Sequence, residues 1–270
     1  MQTGLVHPCF SAEDHFRYGR IHLPVAPRCN IKCGFCVMKF DCVNESGPGA
    51  ASRVISPDEA VMRVAAAAAE DRRLRVAGIA GPGDPLANPE TFETLEKVHA
   101  AFPGLTLCLS TNGLLLYEHA QQLAALGVRA LTVTVNAAES ETACKIYQRI
   151  GDERAGKELC EYFLSRQLEG LKRAAALGIS IKINTVLIDS VNTDEITEIA
   201  RRAKEHGAVL MNLMPLIPQG MFRDCVPVCP EQTDLYRIQA ERFLPQFAHC
   251  RQCRADAAGV PGECERMLWD

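Results

Sequence analysis

The chain has 270 residues, 47% of them hydrophobic, and a formal charge of −4. That length and apolar fraction suffice for one sizeable core, and the mild charge gives no sign of a nucleic-acid-binding surface. The N-terminus lacks a basic segment followed by an apolar run, and the most apolar stretch, VMRVAAAAA, is too short to cross a membrane. We therefore expect a cytoplasmic protein with no nucleic-acid or membrane partner.

Apolar strands alternate with amphipathic helices along most of the chain. Strands are predicted at residues 21–27, 76–81, 106–112, 130–136, 180–187 and 209–216. Helices are predicted at about 57–70, 90–101, 117–126, 158–177 and 193–206, with a last one near 231–247. This alternation is typical of a parallel sheet, in an open doubly wound form or as a partial barrel. The first strand is not followed by a glycine-rich dinucleotide-binding motif, which counts against a Rossmann fold.

The chain is expected to have three parts. Residues 1–20 form an N-terminal arm, 21–230 the α/β core, and 231–270 a C-terminal helix and tail, with an insertion at 139–156 and a Pro-rich loop at 218–232. Polar motifs follow three of the strands, namely CNIKCGFC, GPGDPLANP and STNG. In a barrel the active site lies at the carboxyl ends of the strands, so these motifs are expected at one site.

Thirteen cysteines are unusual in a cytoplasmic chain, where disulfides are rare, and an odd number suits a disulfide framework poorly. Cys29, Cys33 and Cys36 have the spacing C-x3-C-x2-C, with Cys42 close behind. Disulfides, zinc, an iron–sulfur cluster and a nucleophilic thiol all remain open for such a group. Structural zinc usually takes two C-x2-C pairs or a pair plus histidines. Three thiolates in one loop favour a 4Fe-4S cluster whose fourth iron has no protein ligand.

The segment CNIKCGFC resembles the signature of radical S-adenosylmethionine (SAM) enzymes. The resemblance implies an α/β fold, a partial (β/α)6 TIM-type barrel, and a 4Fe-4S cluster whose open iron binds SAM. One electron then cleaves SAM to methionine and a 5′-deoxyadenosyl radical. The positions that the resemblance assigns to SAM binding are Phe35, Gly81, Gly83, Asp84, Ser110, Asn112, Asn136, Asn184 and Met214. For the last three, buried backbone partners for Asn and simple packing for Met are the alternatives.

Five segments in order resemble the NifB family of nitrogenase-cofactor maturases: HPCFSAEDH, CNIKCGFCVMKFDCVNESGPG, GIAGPGDPLANP, LCLSTNG and HCRQCRADAAG. The resemblance implies two further 4Fe-4S precursor clusters as substrates. One is held by Cys9, His22, Cys42 and Cys108, and the other by Cys250 and Cys253. Without the resemblance, the histidine and the strand cysteine would be read as core residues.

The same resemblance assigns roles to three charged residues. Glu45 is a candidate catalytic group, acting as a transient ligand or proton acceptor, with a surface carboxylate as the alternative. Arg251 and Arg254 are expected to offset the charge of thiolate-bound iron. No role is assigned to the remaining cysteines, which are Cys144, Cys160, Cys225, Cys229 and Cys264.

The implied reaction begins with methyl transfer from SAM to a sulfide of a precursor cluster. Radical hydrogen abstraction follows, and the two clusters fuse around a carbide with one added sulfur to give an 8Fe-9S-C core. The implied partners are a NifEN scaffold, a NifX-like carrier, a NifU-like cluster donor and a ferredoxin or flavodoxin. Because the chain stops soon after HCRQCRAD, a stand-alone form without a NifX-like domain is expected. Another radical SAM enzyme with auxiliary clusters and a non-enzymatic cluster carrier remain as alternatives.

Overall fold

The computed structural model describes residues 4–41, 45 and 47–263. Within this part of the chain, six parallel strands lie side by side in a curled sheet, in chain order: β1 (Gly19–His22), β3 (Leu74–Ile79), β4 (Thr106–Thr111), β5 (Val128–Thr134), β8 (Ser180–Leu187) and β9 (Leu210–Pro215). A seventh strand, β10 (Ala258–Gly259), pairs antiparallel with β1. The outer edges of β9 and β10 do not meet, so the sheet is a half-barrel.

Helices connect the successive parallel strands: α2 (Pro57–Glu70), α3 (Pro89–Ala101), α4 (Leu116–Ala125), α6 (Lys157–Ala176) and α7 (Ile196–Glu205). Two others lie at the ends of the fold, α1 (Ala12–His15) in the arm and α8 (Pro230–Glu241) after β9. Helix α2 begins with a capping box, in which Ser56 Oγ accepts from the Glu59 N–H and the Glu59 carboxylate accepts from the Ser56 N–H. The strand–helix repeat confirms the partial (β/α)6 barrel.

The main hydrophobic core lies between the sheet and these helices. Leu95, Leu123 and Leu171 of the helices belong to the same buried cluster as Leu107 and Leu131 of the strands. Burying such a side chain contributes roughly 1.5–3 kcal/mol. Alternate residues of β4 point into this core, which leaves the others to face the inside of the half-barrel.

The insertion at 139–156 folds as α5 (Ser140–Ile146), β6 (Tyr147–Ile150) and β7 (Glu153–Arg154). Strand β6 pairs antiparallel with β2 (Ile31–Cys33). Strand β2 lies inside the loop that contains Cys29, Cys33 and Cys36, which we call the cysteine loop. A second hydrophobic cluster, including Ile146 and Phe163, packs beneath that loop. The insertion therefore supports the cysteine motif from below.

Two predicted boundaries were wrong. The strand predicted at 21–27 ends at His22, where Pro24 follows and cannot donate a ladder hydrogen bond. The helix predicted at 231–247 ends at Glu241, ahead of Pro245. None of the described helices combines the length and apolarity that crossing a membrane demands.

Candidate metal-binding cavity

A cavity of about 320 Å³ lies inside the half-barrel. Among the predicted metal ligands, those that line it are Cys9, His22, Cys36, Cys108, Cys250 and Cys253. Among the other predicted site residues, those that line it are Phe35, Glu45, Ser110, Asn184 and Met214. Cys42 lies outside the described residues. The arm, the sheet, the cysteine loop and the tail thus all contribute soft ligands to one cavity.

Three neighbouring strands place an imidazole and a thiol on either side of a glycine. Gly78 of β3 is in register with His22 of β1 on one side and with Cys108 of β4 on the other. A Cβ on Gly78 would lie 2.7 Å from Cys108 Sγ and 3.5 Å from His22 Cδ2. The glycine therefore keeps open a space that a larger residue would fill, between two side chains able to bind iron.

The His22 ring is prepared to act as a nitrogen ligand. Its Nδ1 lies 2.9 Å from the Arg254 carbonyl oxygen, which can only accept, so Nδ1 carries the ring proton and Nε2 keeps its lone pair. Burial, followed by the nearby Arg20 charge, lowers the pKa of His22 to about 4. The ring is therefore neutral at physiological pH, as metal binding requires.

Cys253 of the tail accepts a hydrogen bond from Arg20, an arginine that was not predicted at this site. Arg20, which is fully buried in β1, donates from Nη2 to Cys253 Sγ at 2.9 Å and from Nη1 to the Gly259 carbonyl at 2.7 Å. Arg254 instead pairs with the buried Asp256 carboxylate, with Nε 2.8 Å from Oδ1. This ion pair anchors the tail, and the role predicted for Arg254 beside iron stays a prediction.

The cavity carries more positive than negative charge among its described lining residues. Arg20 and Lys182 are both almost completely buried there, and Lys182 Nζ donates to the Cys9 carbonyl at 3.1 Å. The acidic side chain of this lining, Glu45, pairs with Lys39 at 2.6 Å. Two buried cations at this cavity, Arg20 and Lys182, suit an anionic occupant, such as a thiolate-bound cluster.

The thiols of Cys9 and Cys108 are held in the protonated form. Burial, followed by the neighbouring Cys9 thiol, raises the pKa of Cys108 to about 12, and burial raises the pKa of Cys9. A metal must therefore displace protons from these thiols when it binds.

The cysteine loop is fixed by backbone hydrogen bonds and by a close approach at Gly34. The Gly34 N–H donates to the Ile146 carbonyl at 2.7 Å, and the Gly34 carbonyl accepts from Met221 N–H at 2.8 Å. A Cβ on Gly34 would lie 2.8 Å from the Phe222 ring. Burial raises the pKa of Cys29 to about 11, and also raises those of the other two loop thiols.

The glycine-rich motif after β3 holds the backbone that leads into this loop. Gly83 N–H donates to the Ala26 carbonyl at 2.6 Å, and a Cβ on Gly83 would overlap the Arg28 carbonyl. Asn88, in the same motif, donates from Nδ2 to that carbonyl at 2.8 Å. Gly81 and Gly83 are not part of the cavity lining.

Asp84, which the resemblance assigns to SAM binding, is not part of the cavity lining. Its buried oxygens accept from Leu86 N–H at 2.9 Å, Thr111 Oγ1 at 2.9 Å and Asn112 N–H at 2.6 Å. These donors join the turn after β3 to the end of β4. Burial raises the pKa of Asp84 in spite of these hydrogen bonds.

Two predicted SAM-binding amides also have internal partners. Asn112 Nδ2 donates to Asn30 Oδ1 at 2.7 Å, beside the Cys29 thiol. Asn136 is completely buried, and its Oδ1 accepts from Val186 N–H at 2.9 Å. Neither side chain lines the cavity. Both therefore position the backbone around the site.

Among the ionisable residues that line the cavity, sequence reasoning missed His7, Arg20 and Lys182. Lys182 had a recognisable signal, because it lies between two isoleucines of a strand, in SIKIN. Burial, followed by the charge of Lys182, lowers the pKa of His7 to about 3.

The described cysteines without an assigned role lie elsewhere, and Cys264 falls outside the described residues. Cys144 Sγ is 3.1 Å from Cys160 Sγ in the second hydrophobic cluster, and Cys225 and Cys229 are exposed. Across the described residues, no three Cys, His, Asp or Glu side chains converge on a single-ion site. A cluster spreads its ligands over several irons and so needs a wider spacing.

The model of the Radical SAM superfamily matches residues 23–203. The FeMo cofactor biosynthesis protein NifB of Methanocaldococcus infernus is 44% identical over 268 residues, covering 97% of this chain and 87% of the relative. The chain belongs to the NifB family. The protein of the same name from Klebsiella pneumoniae is 43% identical, over 95% of this chain and 57% of the relative, so the chain spans little more than half of that protein.

NifB-family membership agrees with the five motifs and with the fold. The crystal structure of Streptococcus suis SuiB superposes on 84% of this chain and 48% of its own, with a TM-score of 0.60 at 14% identity. This likeness shows a shared fold. The resemblance to the NifB family predicted from the sequence is therefore confirmed.

Proposed function

We propose that the chain is a SAM-dependent maturase that joins two 4Fe-4S precursor clusters, a SAM-derived carbon and a sulfur. The product is the carbide-containing 8Fe-9S-C core, a precursor of the nitrogenase FeMo-cofactor. One observation carries the proposal: a single cavity is lined both by the radical SAM loop, through Phe35 and Cys36, and by two further sets of soft ligands.

The resident 4Fe-4S cluster would be held by Cys29, Cys33 and Cys36 and would supply the electron that cleaves SAM. Two features of the loop suit such a cluster: its three thiols and the hydrogen bonds that hold its backbone. Three thiols lie in one loop, whose backbone is clamped at Gly34 and whose first cysteine lies beside the Asn112 amide. Their raised pKa values mean that cluster loading must displace protons.

SAM would bind between the loop and the ends of the later strands. Asn184 Oδ1 accepts from Asn212 Nδ2 at 3.2 Å, and the Asn184 amide N–H groups have no partner among the described residues. Those N–H groups are available to the carboxylate of SAM. Ser110 supplies a hydroxyl on the same cavity, and Met214 and Phe35 supply apolar contacts.

The first precursor cluster is a substrate that would bind in the space above Gly78. Neutral His22 and the Cys108 thiol flank that space, and Cys9 approaches from the arm. Cys42 would complete this ligand set. Lys182 lies against the Cys9 backbone and would balance the charge of the bound substrate.

The second precursor cluster would bind Cys250 and Cys253. The guanidinium of Arg20 donates to Cys253 Sγ, and this hydrogen bond would stabilise the thiolate. Glu45 lies at the cavity, with its carboxylate engaged by Lys39. To serve as a transient ligand or a proton acceptor, Glu45 would use Oε1 or release that lysine from Oε2.

The proposed function implies partners of stated kinds. A NifU-like protein would deliver clusters, a ferredoxin or flavodoxin would supply electrons, and a NifEN scaffold or a NifX-like carrier would receive the product. Val37 and Ile217 line the cavity yet remain 38% and 40% exposed, so they form an apolar rim that a delivering partner can contact.

Anaerobic reconstitution tests the proposal. Roughly 12 irons per chain are expected for three cubanes, together with 5′-deoxyadenosine release under dithionite. Cys33→Ala should abolish the release, whereas Cys253→Ala should spare it and stop core formation. Cys225→Ala is the matched control, since that thiol is exposed and lies outside the cavity.

Each alternative predicts a different result. Iron equal to one cubane would contradict the maturase function and favour another kind of radical SAM enzyme. Full iron without 5′-deoxyadenosine release would indicate a cluster carrier.

A further inference from the structure

We infer that His7 donates a hydrogen bond from Nε2 to a sulfide of the precursor cluster beside Cys9, and that it sets the reduction potential of that cluster without being an iron ligand. The inference rests on the proposed function and deepens it. It gives a role to a cavity histidine that the motif assignments left unused.

The hydrogen bonds of the arm fix the tautomer of His7. Its Nδ1 accepts from the Cys9 backbone N–H at 3.0 Å, and a backbone N–H can only donate. Nδ1 therefore bears the lone pair, and the proton of the neutral ring is on Nε2. This is the opposite tautomer to that of His22, whose Nδ1 donates to the Arg254 carbonyl. One cavity thus contains an imidazole suited to bind iron and another suited to donate a hydrogen bond.

The Nε2–H group of His7 lacks an acceptor among the residues that the structure describes. The residue is 3% exposed and lines the cavity, yet Nε2 is buried and has no hydrogen-bond partner in the described part of the chain. A buried donor left unsatisfied has lost its hydrogen bonds to water without gaining any in the protein, which is unfavourable. An occupant of the cavity that offers an acceptor removes this cost, and the sulfide of an anionic cluster is such an acceptor.

The ring is held in position before anything binds. The His7 N–H donates to Asp14 Oδ2 at 3.1 Å, and its carbonyl accepts from Phe10 N–H at 3.0 Å. The Phe10 ring packs against the imidazole with centroids 4.8 Å apart. To bind iron through Nε2, His7 would have to lose the proton there or break its bond to the Cys9 N–H. Hydrogen bonds to cluster sulfides raise the reduction potential.

Two substitutions separate the two edges of the ring. In His7→Asn the amide oxygen can still accept from the Cys9 N–H, but the distal donor is gone. In His7→Gln a distal N–H remains while the acceptor near Nδ1 is lost. Both are made in the 270-residue chain with two groups of cysteines replaced by Ala, so that the cavity retains only the cluster beside Cys9. The replaced residues are Cys29, Cys33 and Cys36 of the loop and Cys250 and Cys253 of the tail. His119→Asn is the control, because this half-buried histidine of α4 packs against Phe92 and lies outside the cavity lining.

The measurements are iron content, the nitrogen hyperfine coupling of the reduced cluster, and its midpoint potential by redox titration. The inference expects His7→Asn to keep the iron and the nitrogen coupling of His22 but to titrate at a more negative potential. His7→Gln should titrate close to the background protein.

The inference alone would be overturned if His7→Asn had an unchanged midpoint potential or lost its iron. It would also be overturned if the background protein showed a second nitrogen coupling that His7→Asn lacks, because His7 would then be an iron ligand. A background protein that takes up no iron would overturn the proposed function together with the inference. The two failures are therefore distinguishable.

Discussion

Replacing Gly78 with Ala should empty the site between His22 and Cys108. The new Cβ would lie 2.7 Å from Cys108 Sγ, about 1 Å inside the ~3.5–4.0 Å of an optimal nonbonded contact. The thiol must therefore rotate away from the cavity. Overpacking costs about 1–3 kcal/mol, and the strand preference of Ala over Gly returns about 0.5–1 kcal/mol. The free energy of unfolding of the apoprotein in urea should fall by about 0–2.5 kcal/mol.

The larger effect of Gly78→Ala is on iron. After anaerobic reconstitution the variant should fall from roughly 12 to roughly 8 irons per chain, with loss of the histidine nitrogen coupling. Gly19→Ala is the matched control in β1, because its Cβ would meet neighbours at an ordinary 3.5 Å. If Gly78→Ala retains all the iron and the nitrogen coupling, the space above the glycine is not the cluster site.

Three other changes test the supports of the cavity. Arg20→Lys keeps the charge but loses the fork that reaches Cys253 Sγ, so iron bound by the tail should be lost several-fold faster to a chelator. In Gly83→Ala the new Cβ should displace the backbone carbonyl of Arg28, next to Cys29. The cysteine loop should then shift and the rate of 5′-deoxyadenosine release should fall at least tenfold. Asp256→Asn should destabilise the apoprotein by about 3 kcal/mol in urea. Burial alone would raise the pKa of Asp256. Hydrogen bonds from Arg254 and Ser52 outweigh the effect of burial, so the pKa is lowered. A lowered folded pKa contributes stability above about pH 4, so the difference between Asp256→Asn and wild type should shrink as the pH falls below that.

Matched controls come from exposed positions. Arg17→Lys, Gly104→Ala and Asp152→Asn change the same residue types where the side chain is exposed or a Cβ meets open space. These variants should behave like wild type in the three assays. Equal chelator rates for Arg20→Lys and Arg17→Lys would contradict the role of the guanidinium. A difference for Asp256→Asn that does not vary with pH would contradict the ion pair.

The regular elements were predictable because their signals are local. Strand β8 occupies the predicted residues 180–187, and helix α2 occupies the predicted 57–70, which a capping box and Pro57 mark in the sequence. Strand β10 was not predicted, because two residues carry no periodicity and form a strand only through pairing with β1. The same holds for β2, which depends on the insertion for its partner.

The site was predictable where spacing or motif carried the information. The soft ligands described by the structure and assigned to the precursor clusters do line one cavity. The role of Asp84 was not predictable, because its partners Thr111 and Asn112 lie on another strand and only the fold brings them within reach. Arg20 was missed for the same reason, since 233 positions separate it from Cys253.

That separation has a consequence for biogenesis. Translation proceeds from the N-terminus, so Cys9 and His22 leave the ribosome long before Cys250 and Cys253 are made. Until the last segment pairs with β1, Arg20 lacks the carbonyl and the thiol to which it donates, and the His22 ring lacks the carbonyl that fixes its proton. A nascent chain therefore presents an incomplete set of ligands for the proposed precursor clusters, and on the proposed function those clusters would bind only after synthesis has passed residue 259.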